Sequence, residues 1–250
     1  MIEVVGLNKS FGDKHVLQDI SVVFETGKTS LIIGASGSGK STLARCLVGL
    51  ITPESGKMLY DGRDFLELSH KEKKALRTEI GFLFQGSALF DFMTVEENVR
   101  FPLDILTNLT KKEKQVRVDE VLDRVELPSA HKLFPSELSG GMKKRVGIAR
   151  AISPQPKYLF CDEPNSGLDP QTSIVIDNLI HEITLEYNIT TLVISHDMNS
   201  VMEIGEYILF IHKGEKWWDG DNEKILKTDN EELLAFVNAS GFLSVKKAGT

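Results

Sequence analysis

The sequence predicts an α/β fold with a mainly parallel sheet, an antiparallel β subdomain and an inserted helical subdomain. Short apolar runs typical of buried strands recur at residues 29–33, 158–161 and 190–195. Alternating apolar and polar residues at 19–24 indicate a half-buried strand ahead of the first of these runs. The signals between residues 86 and 155 are helical, which predicts a helical insertion within the α/β core.

A phosphate-binding loop follows the first apolar run. Residues 34–42 read Gly-Ala-Ser-Gly-Ser-Gly-Lys-Ser-Thr and fit the pattern G-x-x-x-x-G-K-[ST], between a predicted strand and a predicted helix. Glycines let backbone N–H groups turn inward around an anion, and the positive end of the helix adds favourable charge. Lys40 is expected to reach the β- and γ-phosphates, and Ser41 to bind Mg²⁺. The residues predicted to bind the nucleotide here are Gly34, Ala35, Ser36, Gly37, Ser38, Gly39, Lys40, Ser41 and Thr42.

Composition limits the function classes. The chain has 250 residues, with 29 basic and 36 acidic side chains and a net charge of −7, which argues against a protein that coats nucleic acid. Cys46 and Cys161 lie in apolar patterns and are expected to be buried, reduced thiols. The N-terminus lacks the features of a signal peptide, and no apolar run approaches the ~20 residues that span a bilayer. We expect a cytosolic chain whose membrane role, if it has one, is exercised through partners.

The first 85 residues read mainly as strands and turns. Residues 25–28 are typical of a turn, and Asp61-Gly62 is typical of a hairpin. Phe11 either stacks on an adenine ring or is an ordinary core or edge aromatic, and the sequence leaves both open. A further apolar strand at residues 80–84 ends at Gln85.

The helical segment begins with two capping boxes, Thr94 with Glu97 and Thr110 with Glu113. Near its end, residues 138–141 read Leu-Ser-Gly-Gly and precede a helix that runs to about residue 153. Ser139 can cap this helix, and the glycines expose N–H groups at its positive end, which makes a second anion site; an ordinary Ser-capped helix is the alternative. A helix start in a separate subdomain should not reach the phosphate loop of its own chain. A two-fold dimer, in which each copy offers this end to the other copy, is the simplest arrangement.

The core resumes at residue 157, and its strands end in polar side chains. Asp162 and Glu163 follow an apolar strand, where one carboxylate can serve the metal and the other can face an attacking water. A solvated turn or a helix cap is the alternative interpretation of this acidic pair. Gln85 and His196 also end strands, and ligands of open α/β sheets bind beyond these carboxyl ends. A helix at about residues 172–187 is expected to turn Val175, Leu179, Ile180 and Ile183 inward.

The ordered set of motifs resembles that of the ABC ATPases over about residues 2–240. Residues 34–42, Gln85, 138–142, 158–163, 166–169 and His196 follow one another like the Walker A, Q-loop, signature, Walker B, D-loop and H-loop of that family. The resemblance implies a P-loop NTPase core and ATP sandwiched head to tail between two copies.

The same resemblance assigns roles within the site. It implies that Glu163 is the general base, that His196 senses the γ-phosphate and that Asp169 lies at the dimer seam. Gln85 would couple the site to a membrane subunit, and Ser41, Gln85 and Asp162 would hold Mg²⁺ beside the catalytic Lys40. The signature residues that would contact the partner's ATP are Leu138, Ser139, Gly140, Gly141 and Met142. The implied division is an ATPase domain at 1–240, with a nucleotide-binding core at 1–85 and 156–220, a helical signature subdomain at 86–155, and a helical tail at 221–250.

Within that family the chain looks most similar to the Mla-type ATPases that work with MCE lipid-transfer proteins. The resemblance rests on residues 85–90 and 93–99, on the segment 135–145, and on Met142 within it, where most ABC signatures carry Gln or Glu. It implies a homodimer bound to transmembrane permease subunits and an MCE protein at the cytoplasmic face of the inner membrane, moving phospholipid between bacterial envelope membranes with ATP and Mg²⁺. The alternatives are the ATPase of an importer of amino acids or another small solute, and a soluble ABC ATPase of DNA repair or translation.

Three further segments lead to expectations about exposure and packing. Residues 143–145, Lys-Lys-Arg, are expected to lie on the exposed side of the signature helix as a solvated face rather than as a nucleic-acid patch. One of Trp217 and Trp218 is expected to pack while the other is exposed at a hairpin. The segment 236–242 is expected to dock either on the core or on a second copy.

Overall fold

The computed structural model describes residues 1–239, which form two sheets and eight α-helices. The strands are β1 (Ile2–Phe11), β2 (Lys14–Phe24), β3 (Thr29–Ile33), β4 (Ser55–Tyr60), β5 (Arg63–Asp64), β6 (Ile80–Leu83), β7 (Tyr158–Asp162), β8 (Thr190–Ile194), β9 (Tyr207–His212) and β10 (Glu215–Gly220). The helices are α1 (Lys40–Leu47), α2 (His70–Thr78), α3 (Val95–Leu106), α4 (Lys111–Arg124), α5 (Gly140–Ile152), α6 (Pro170–Glu186), α7 (Met198–Ile204) and α8 (Glu231–Ala239). Short 3-10 helices lie at Pro135–Glu137 and Ile225–Lys227.

The six-stranded core sheet has the order β10-β9-β3-β8-β7-β6. The five strands from β9 to β6 are parallel, and β10 pairs antiparallel with β9 at one edge. Because the parallel strands all end at the same edge of the sheet, the segments that follow β3, β6, β7 and β8 meet there. This arrangement brings the phosphate loop, Gln85, the Asp162–Glu163 pair and His196 to one place.

The second sheet is antiparallel, with the order β2-β1-β4-β5. One hydrophobic core lies between the two sheets and α1, and the other packs the helices against the opposite face of the core sheet. Strand β3 serves both cores, since Ile32 belongs to the first and Leu31 and Ile33 to the second. All five residues of β3 are buried, as its continuous apolar run predicts.

Both predicted capping boxes are confirmed in the helical segment. The Thr94 side chain accepts a hydrogen bond from the Glu97 N–H, and Thr110 and Glu113 repeat the arrangement at α4. Asn98 is fully buried in α3, where its amide donates to the carbonyl oxygens of Phe90, Met93 and Thr94. This side chain therefore organises the loop that leads from Gln85 into the helix.

Two local expectations were wrong or incomplete. Helix α2 was not anticipated, although Ser69 and Glu72 form a third capping box at its start. Val175 was expected inside, but it is 41% exposed, and Ile176 is buried in its place. Ile176 lies three and four residues before Leu179 and Ile180, which puts it on the same helical face as those side chains.

The tail packs on the core of its own chain as far as it is described. Leu233 and Val237 of α8 are buried, and the Phe236 ring lies 5.6 Å from the Phe210 ring. Residues 240–250, including the end of the segment 236–242, lie outside the described residues. As expected, Trp218 packs against the core while Trp217 is partly exposed at the hairpin, beside His212.

Both cysteines are buried and free, as expected. Within residues 1–239 the structure contains no helix with the length and apolar character that crossing a bilayer requires.

Candidate nucleotide-binding site

The phosphate loop joins β3 to α1 at the carboxyl edge of the core sheet. Gly34, Gly37 and Gly39 all have positive φ values, of 147°, 78° and 113°. A Cβ atom at Gly34 would lie 2.2 Å from the Ile211 carbonyl oxygen, so no other residue fits this close approach. The hydroxyl of Ser38 is buried without a hydrogen-bond partner, although buried hydroxyls are normally paired.

Lys40 opens α1 and turns back over the loop. Its Nζ atom donates to the carbonyl oxygens of Gly34, at 2.7 Å, and Ala35, at 3.0 Å. Burial lowers the pKa of the Lys40 ammonium, and the charges of Glu163 and Asp162 oppose that shift. The ammonium is thus held over the loop, where it can bind phosphate oxygens. Ala35, Ser36 and Gly37 are exposed, whereas Ser41 and Thr42 are half-buried in the first turn of α1.

Asp162 is the last residue of β7, beside the phosphate loop. Burial and then the nearby charge of Glu163 raise the pKa of its carboxyl group, while Arg45 and Lys40 oppose the shift. A bound divalent cation would stabilise this half-buried carboxylate. Residues 1–239 contain no group of three His, Cys or acidic side chains that could hold a metal alone. Mg²⁺ fits this site when Asp162 and Ser41 are complemented by phosphate oxygens, because it binds through few protein ligands and substrate phosphates.

Glu163 leaves β7 with a φ of 49°, which is unusual for a residue other than glycine. Its N–H donates to the Ile194 carbonyl oxygen of β8, at 3.0 Å. Its Oε2 atom lies 2.7 Å from Nδ1 of His196, which follows β8. The Glu163 side chain is 17% exposed and that of His196 is 70% exposed, so the pair extends from the sheet edge to the surface.

The segment at 166–169 lies beside Gln85. The Gln85 amide donates to the Ser166 hydroxyl, at 3.3 Å, and Gln85 is itself exposed. Asp169 caps α6, accepting hydrogen bonds from the N–H groups of Gln171 and Thr172. A hydrogen bond from the Thr172 hydroxyl is the main reason that the pKa of Asp169 is lowered.

Ser139 caps α5, and its hydroxyl accepts a hydrogen bond from the Met142 N–H, at 3.2 Å. Ser139 and Gly140 are exposed, Leu138 is buried, and Gly141 and Met142 are half-buried. A Cβ at Gly141 would lie 2.7 Å from Thr172 Cγ2, so the glycine lets α5 approach the start of α6 closely. The Ser139 end of α5 is therefore presented at the surface beside the segment at 166–169.

Phe11 lies at the tip of the β1–β2 hairpin and is 50% exposed, which excludes a core role. The Lys9 ammonium lies 5.1 Å from the centre of its ring. An edge aromatic and an adenine-stacking side chain both remain compatible with this position.

The expected solvated face at residues 143–145 is wrong for Lys144, which is only 5% exposed. Its Nζ atom donates to the carbonyl oxygens of Gln85 and of Glu163, the latter at 3.3 Å. Burial lowers the pKa of its ammonium, and the charges of Glu163 and Asp162 are among those that oppose the shift. Helical periodicity could have revealed this residue, since it lies four residues before the buried Ile148 and seven before the buried Ala151.

Comparison with known proteins gives one family and many relatives. A family model described as "ABC transporter" matches residues 17–166. The chain is 39% identical, over 239 residues, to the "Probable ribonucleotide transport ATP-binding protein mkl" of Mycobacterium leprae, covering 95% of this chain and 68% of that protein. It is 40% identical over 229 residues to the "Methionine import ATP-binding protein MetN" of Desulfitobacterium hafniense, covering 90% and 67%.

Solved structures match as well. The ATP-binding cassette MJ0796, in a dimeric post-hydrolysis state with ADP and Pi, superposes with a TM-score of 0.80 at 30% identity over 89% of this chain and 99% of that one. The cbiO1 protein of Clostridium perfringens, part of the ABC transporter complex cbiONQ, gives a TM-score of 0.84 at 31% identity over 95% of this chain and 94% of that one.

Proposed function

Because the chain belongs to the family of ABC transporter ATP-binding proteins, we propose that two copies form one motor whose paired sites drive a membrane transporter. The chain is the ATPase subunit of an ABC transporter and uses ATP with Mg²⁺. The observation that carries the proposal is the meeting of Lys40, Glu163 and His196 at one sheet edge, beyond strands β3, β7 and β8.

Each side chain has a separate task in this proposal. The loop N–H groups and Lys40 bind the phosphates, and Phe11 offers its exposed ring face to adenine. Ser41, Asp162 and Gln85 would hold Mg²⁺, which would neutralise phosphate charge. Glu163 accepts a proton from the attacking water, while His196 orients the carboxylate and contacts the γ-phosphate. Positioning and charge do most of this work, as in other phosphoryl transfers.

The second half of each site comes from the other copy. Ser139 and Gly140 are exposed at the positive end of α5, where N–H groups can bind phosphate oxygens. Leu138, Gly141 and Met142 complete the signature at this end of α5. Asp169 lies at the interface between the two copies. The similar cassette MJ0796 is a dimer in its structure with ADP and Pi, which supports this arrangement.

Mixing two inactive variants tests the shared site. Lys40→Ala removes the phosphate-binding ammonium, and Ser139→Glu adds a negative charge where phosphate should bind. A mixed dimer of the two variants contains one site with both changes and one intact site. We expect each variant alone to be inactive and the mixture to regain up to about a quarter of wild-type hydrolysis, because half of the random pairs carry one intact site of two.

If Ser139 served the phosphate loop of its own chain, no pairing would restore an intact site, and the mixture would stay inactive. Ser136→Glu, at an exposed position three residues before Ser139, is the control. It should be fully active alone, and its equal mixture with Lys40→Ala should keep about half of wild-type hydrolysis, because half of the sites retain Lys40.

We place the motor at the cytoplasmic face of the inner membrane, bound to transmembrane permease subunits. Residues 86–155 form the subdomain that transmits motion from Gln85 to the permease. Phe84 and Phe92 lie on either side of residues 85–91 and are 42% and 75% exposed. Exposed apolar side chains such as these favour a contact with another protein. No nucleic-acid partner enters this proposal.

For the cargo we propose phospholipid, moved with an MCE protein between envelope membranes. The support is the sequence pattern at residues 85–99 and Met142 in the signature, which resemble the Mla-type ATPases. The test is to purify the chain with its membrane partners and identify bound molecules. Co-purified phospholipid and an MCE protein are expected, and a partner complex without either would reject the lipid role.

Import of a small solute is the second candidate. It is favoured by the relatives named for ribonucleotide transport and methionine import. In the same purification, a solute-binding protein and solute-stimulated ATP hydrolysis would support this candidate.

A further inference from the structure

Lys144 occupies an unusual place for a lysine, since it is almost fully buried between three parts of the nucleotide site. It lies on α5, five residues after Ser139. Its ammonium donates to backbone carbonyl oxygens at Gln85 and at Glu163. Buried ammonium groups are costly unless they are paired, so this one must be held by specific contacts.

We propose that Lys144 is a positioning residue, which fixes the backbone of Glu163 and the loop after Gln85 to the helix that begins at Ser139. The proposal rests on the base role of Glu163 proposed above and extends it to the group that holds this base in place. Lys144 lies behind the site, against backbone oxygens, and is not assigned a contact with ATP.

The Glu163 backbone requires such support. Its φ of 49° is in the left-handed region, which side chains other than glycine adopt only when their surroundings hold them there. The N–H of Glu163 is held by Ile194 at 3.0 Å. Its carbonyl oxygen accepts from the Ser166 N–H, at 3.1 Å, and from Lys144 Nζ, at 3.3 Å. Loss of the ammonium would leave this carbonyl group less firmly held and let the carboxylate shift.

Helix α5 also holds the loop after Gln85 through hydrogen bonds. Ser87 and Ala88 both have left-handed φ values, of 59° and 47°. The buried Arg150 donates to their carbonyl oxygens, at 2.5 Å and 2.6 Å. Between Lys144 and Arg150, a Cβ on Gly147 would lie 3.3 Å from the Ser87 Cβ, so the helix and the loop are in close contact.

In the proposed dimer this arrangement joins the two sites. Ser139 contacts the partner's ATP, while Lys144 holds the base of its own chain, about 8 Å farther along the same helix at 1.5 Å per residue. ATP bound by the partner therefore contacts Ser139 of this chain and acts, through α5 and Lys144, on the position of this chain's Glu163. That Glu163 faces the ATP bound by this chain. Cooperativity between the sites is the expected consequence.

The test compares Lys144→Met with Lys143→Met. Methionine preserves the length and packing of the side chain but cannot donate a hydrogen bond. Lys143 is the matched control, because it is half-buried and carries the same charge, and its side chain has no hydrogen bond or ion pair with any other described residue. We expect Lys144→Met to lower kcat by about 10- to 100-fold, because misplacement of a reacting group by about 1 Å has an effect of this size. The KM for ATP should change little, and the Hill coefficient should be near one. Lys143→Met should resemble the wild type.

A double variant separates positioning from general damage. If Lys144 acts through Glu163, then Lys144→Met added to Glu163→Gln should change the residual rate by less than about twofold, since the function it supports is already lost. A full multiplicative loss in the double variant would overturn the proposal. So would a Lys144→Met protein that hydrolyses ATP at the rate of Lys143→Met.

Folding is monitored by thermal melting and by binding of a non-hydrolysable ATP analogue. If Lys144→Met fails to fold, Lys144→Arg replaces it, because its guanidinium can still donate to both carbonyl oxygens. We expect the Arg variant to keep most of the wild-type kcat, and an Arg variant that is folded but inactive would count against the proposal. Normal turnover of Glu163→Gln alone would instead reject the base role of Glu163, which is a separate result.

Discussion

His196 Nδ1 lies 2.7 Å from the Oε2 atom of Glu163, so a residue that follows β8 is in direct contact with the residue that follows β7. An ionised carboxylate can only accept hydrogen bonds, so Nδ1 carries the hydrogen in this contact. The Nε2 atom is left to face solvent, because the imidazole is 70% exposed. One ring nitrogen thus orients the carboxylate while the other is available to a phosphate group.

The first prediction concerns Glu163→Gln. Glutamine has nearly the same shape and its carbonyl oxygen can still accept from His196, but it cannot take a proton from water. Hydrolysis should fall by about 10²- to 10⁴-fold, the usual contribution of a general base, while ATP binding is retained. Steady-state phosphate release and equilibrium binding of labelled ATP measure the two effects.

Glu186→Gln is the matched control, since Glu186 lies on the surface of α6 and pairs with Arg124. Its hydrolysis should equal that of the wild type. Turnover within about threefold of wild type for Glu163→Gln would exclude a general-base role.

The second prediction concerns the contact itself. His196→Ala removes the donor that orients Glu163, as well as the group proposed to contact the γ-phosphate, and should lower kcat by about 10- to 100-fold. Because the two side chains act together, the loss should be much smaller when His196→Ala is added to Glu163→Gln. The rates of wild type, both single variants and the double variant give the coupling directly, and equal losses in both backgrounds would contradict it.

The sequence was most informative where a residue follows a buried strand. The apolar run of β7 predicts a parallel strand, and the common edge of a parallel sheet then places Asp162 and Glu163 beside the phosphate loop. The same logic places Gln85 and His196 there. The glycines of the phosphate loop were equally informative. The structure shows why one of them is needed, because the close approach of Gly34 to Ile211 excludes a side chain.

The features that the sequence did not predict depend on how distant segments pack together, which no local sequence pattern reveals. Lys144 resembles a surface residue because it stands in a run of three basic side chains, but α5 turns it toward carbonyl oxygens that come from two distant segments. Val175 and Ile176 are adjacent in the sequence, and both are β-branched and apolar. Only the direction in which α6 packs decides which of the two is buried. The contact between His196 and Glu163 likewise requires the register of β7 against β8.

The third prediction concerns Asn98→Ala. The amide of Asn98 holds three carbonyl oxygens, and its Oδ1 accepts from the Phe90 N–H at 2.8 Å. Removing it leaves these backbone groups unpaired, which should lower the free energy of unfolding by about 2–4 kcal/mol. Urea unfolding measures this loss, with the exposed Asn108→Ala as a control that should cost less than about 0.5 kcal/mol.

The same variant should also separate hydrolysis from transport. The loop from Phe90 to Thr94 lies between Gln85 and α3, whereas Lys40 and Glu163 are on other segments. We expect the folded Asn98→Ala chain to keep its KM for ATP but to lose stimulation of hydrolysis by its membrane partners. Equal stimulation of Asn98→Ala and Asn108→Ala would contradict a coupling role for this loop.

The fourth prediction is a pH dependence of stability that originates at Asp177. This residue of α6 is 2% exposed and has one carboxyl oxygen without a partner, and burial raises the pKa of its carboxyl group to about 6 from its ordinary value of 3.8. Hydrogen bonds from Ser200 and Asn165 oppose the shift, and the charges of Asp197 and Glu203 add to it. Since the folded state holds this proton more tightly than the unfolded state, the contribution of Asp177 to stability is greatest at low pH and is lost as pH rises through about 6.

Comparison with Asp177→Asn isolates this contribution from those of other carboxylates. Between pH 4.5 and 7.5 the stability of the wild type, relative to Asp177→Asn, should fall by about 2 kcal/mol. Asp123→Asn, on the exposed side of α4, should follow the wild-type profile. Urea unfolding at several pH values between these limits gives the curves. Parallel profiles for wild type and Asp177→Asn would show that the carboxyl group of Asp177 is ionised throughout this range, and that the hydrogen bonds from Ser200 and Asn165 outweigh the cost of its burial.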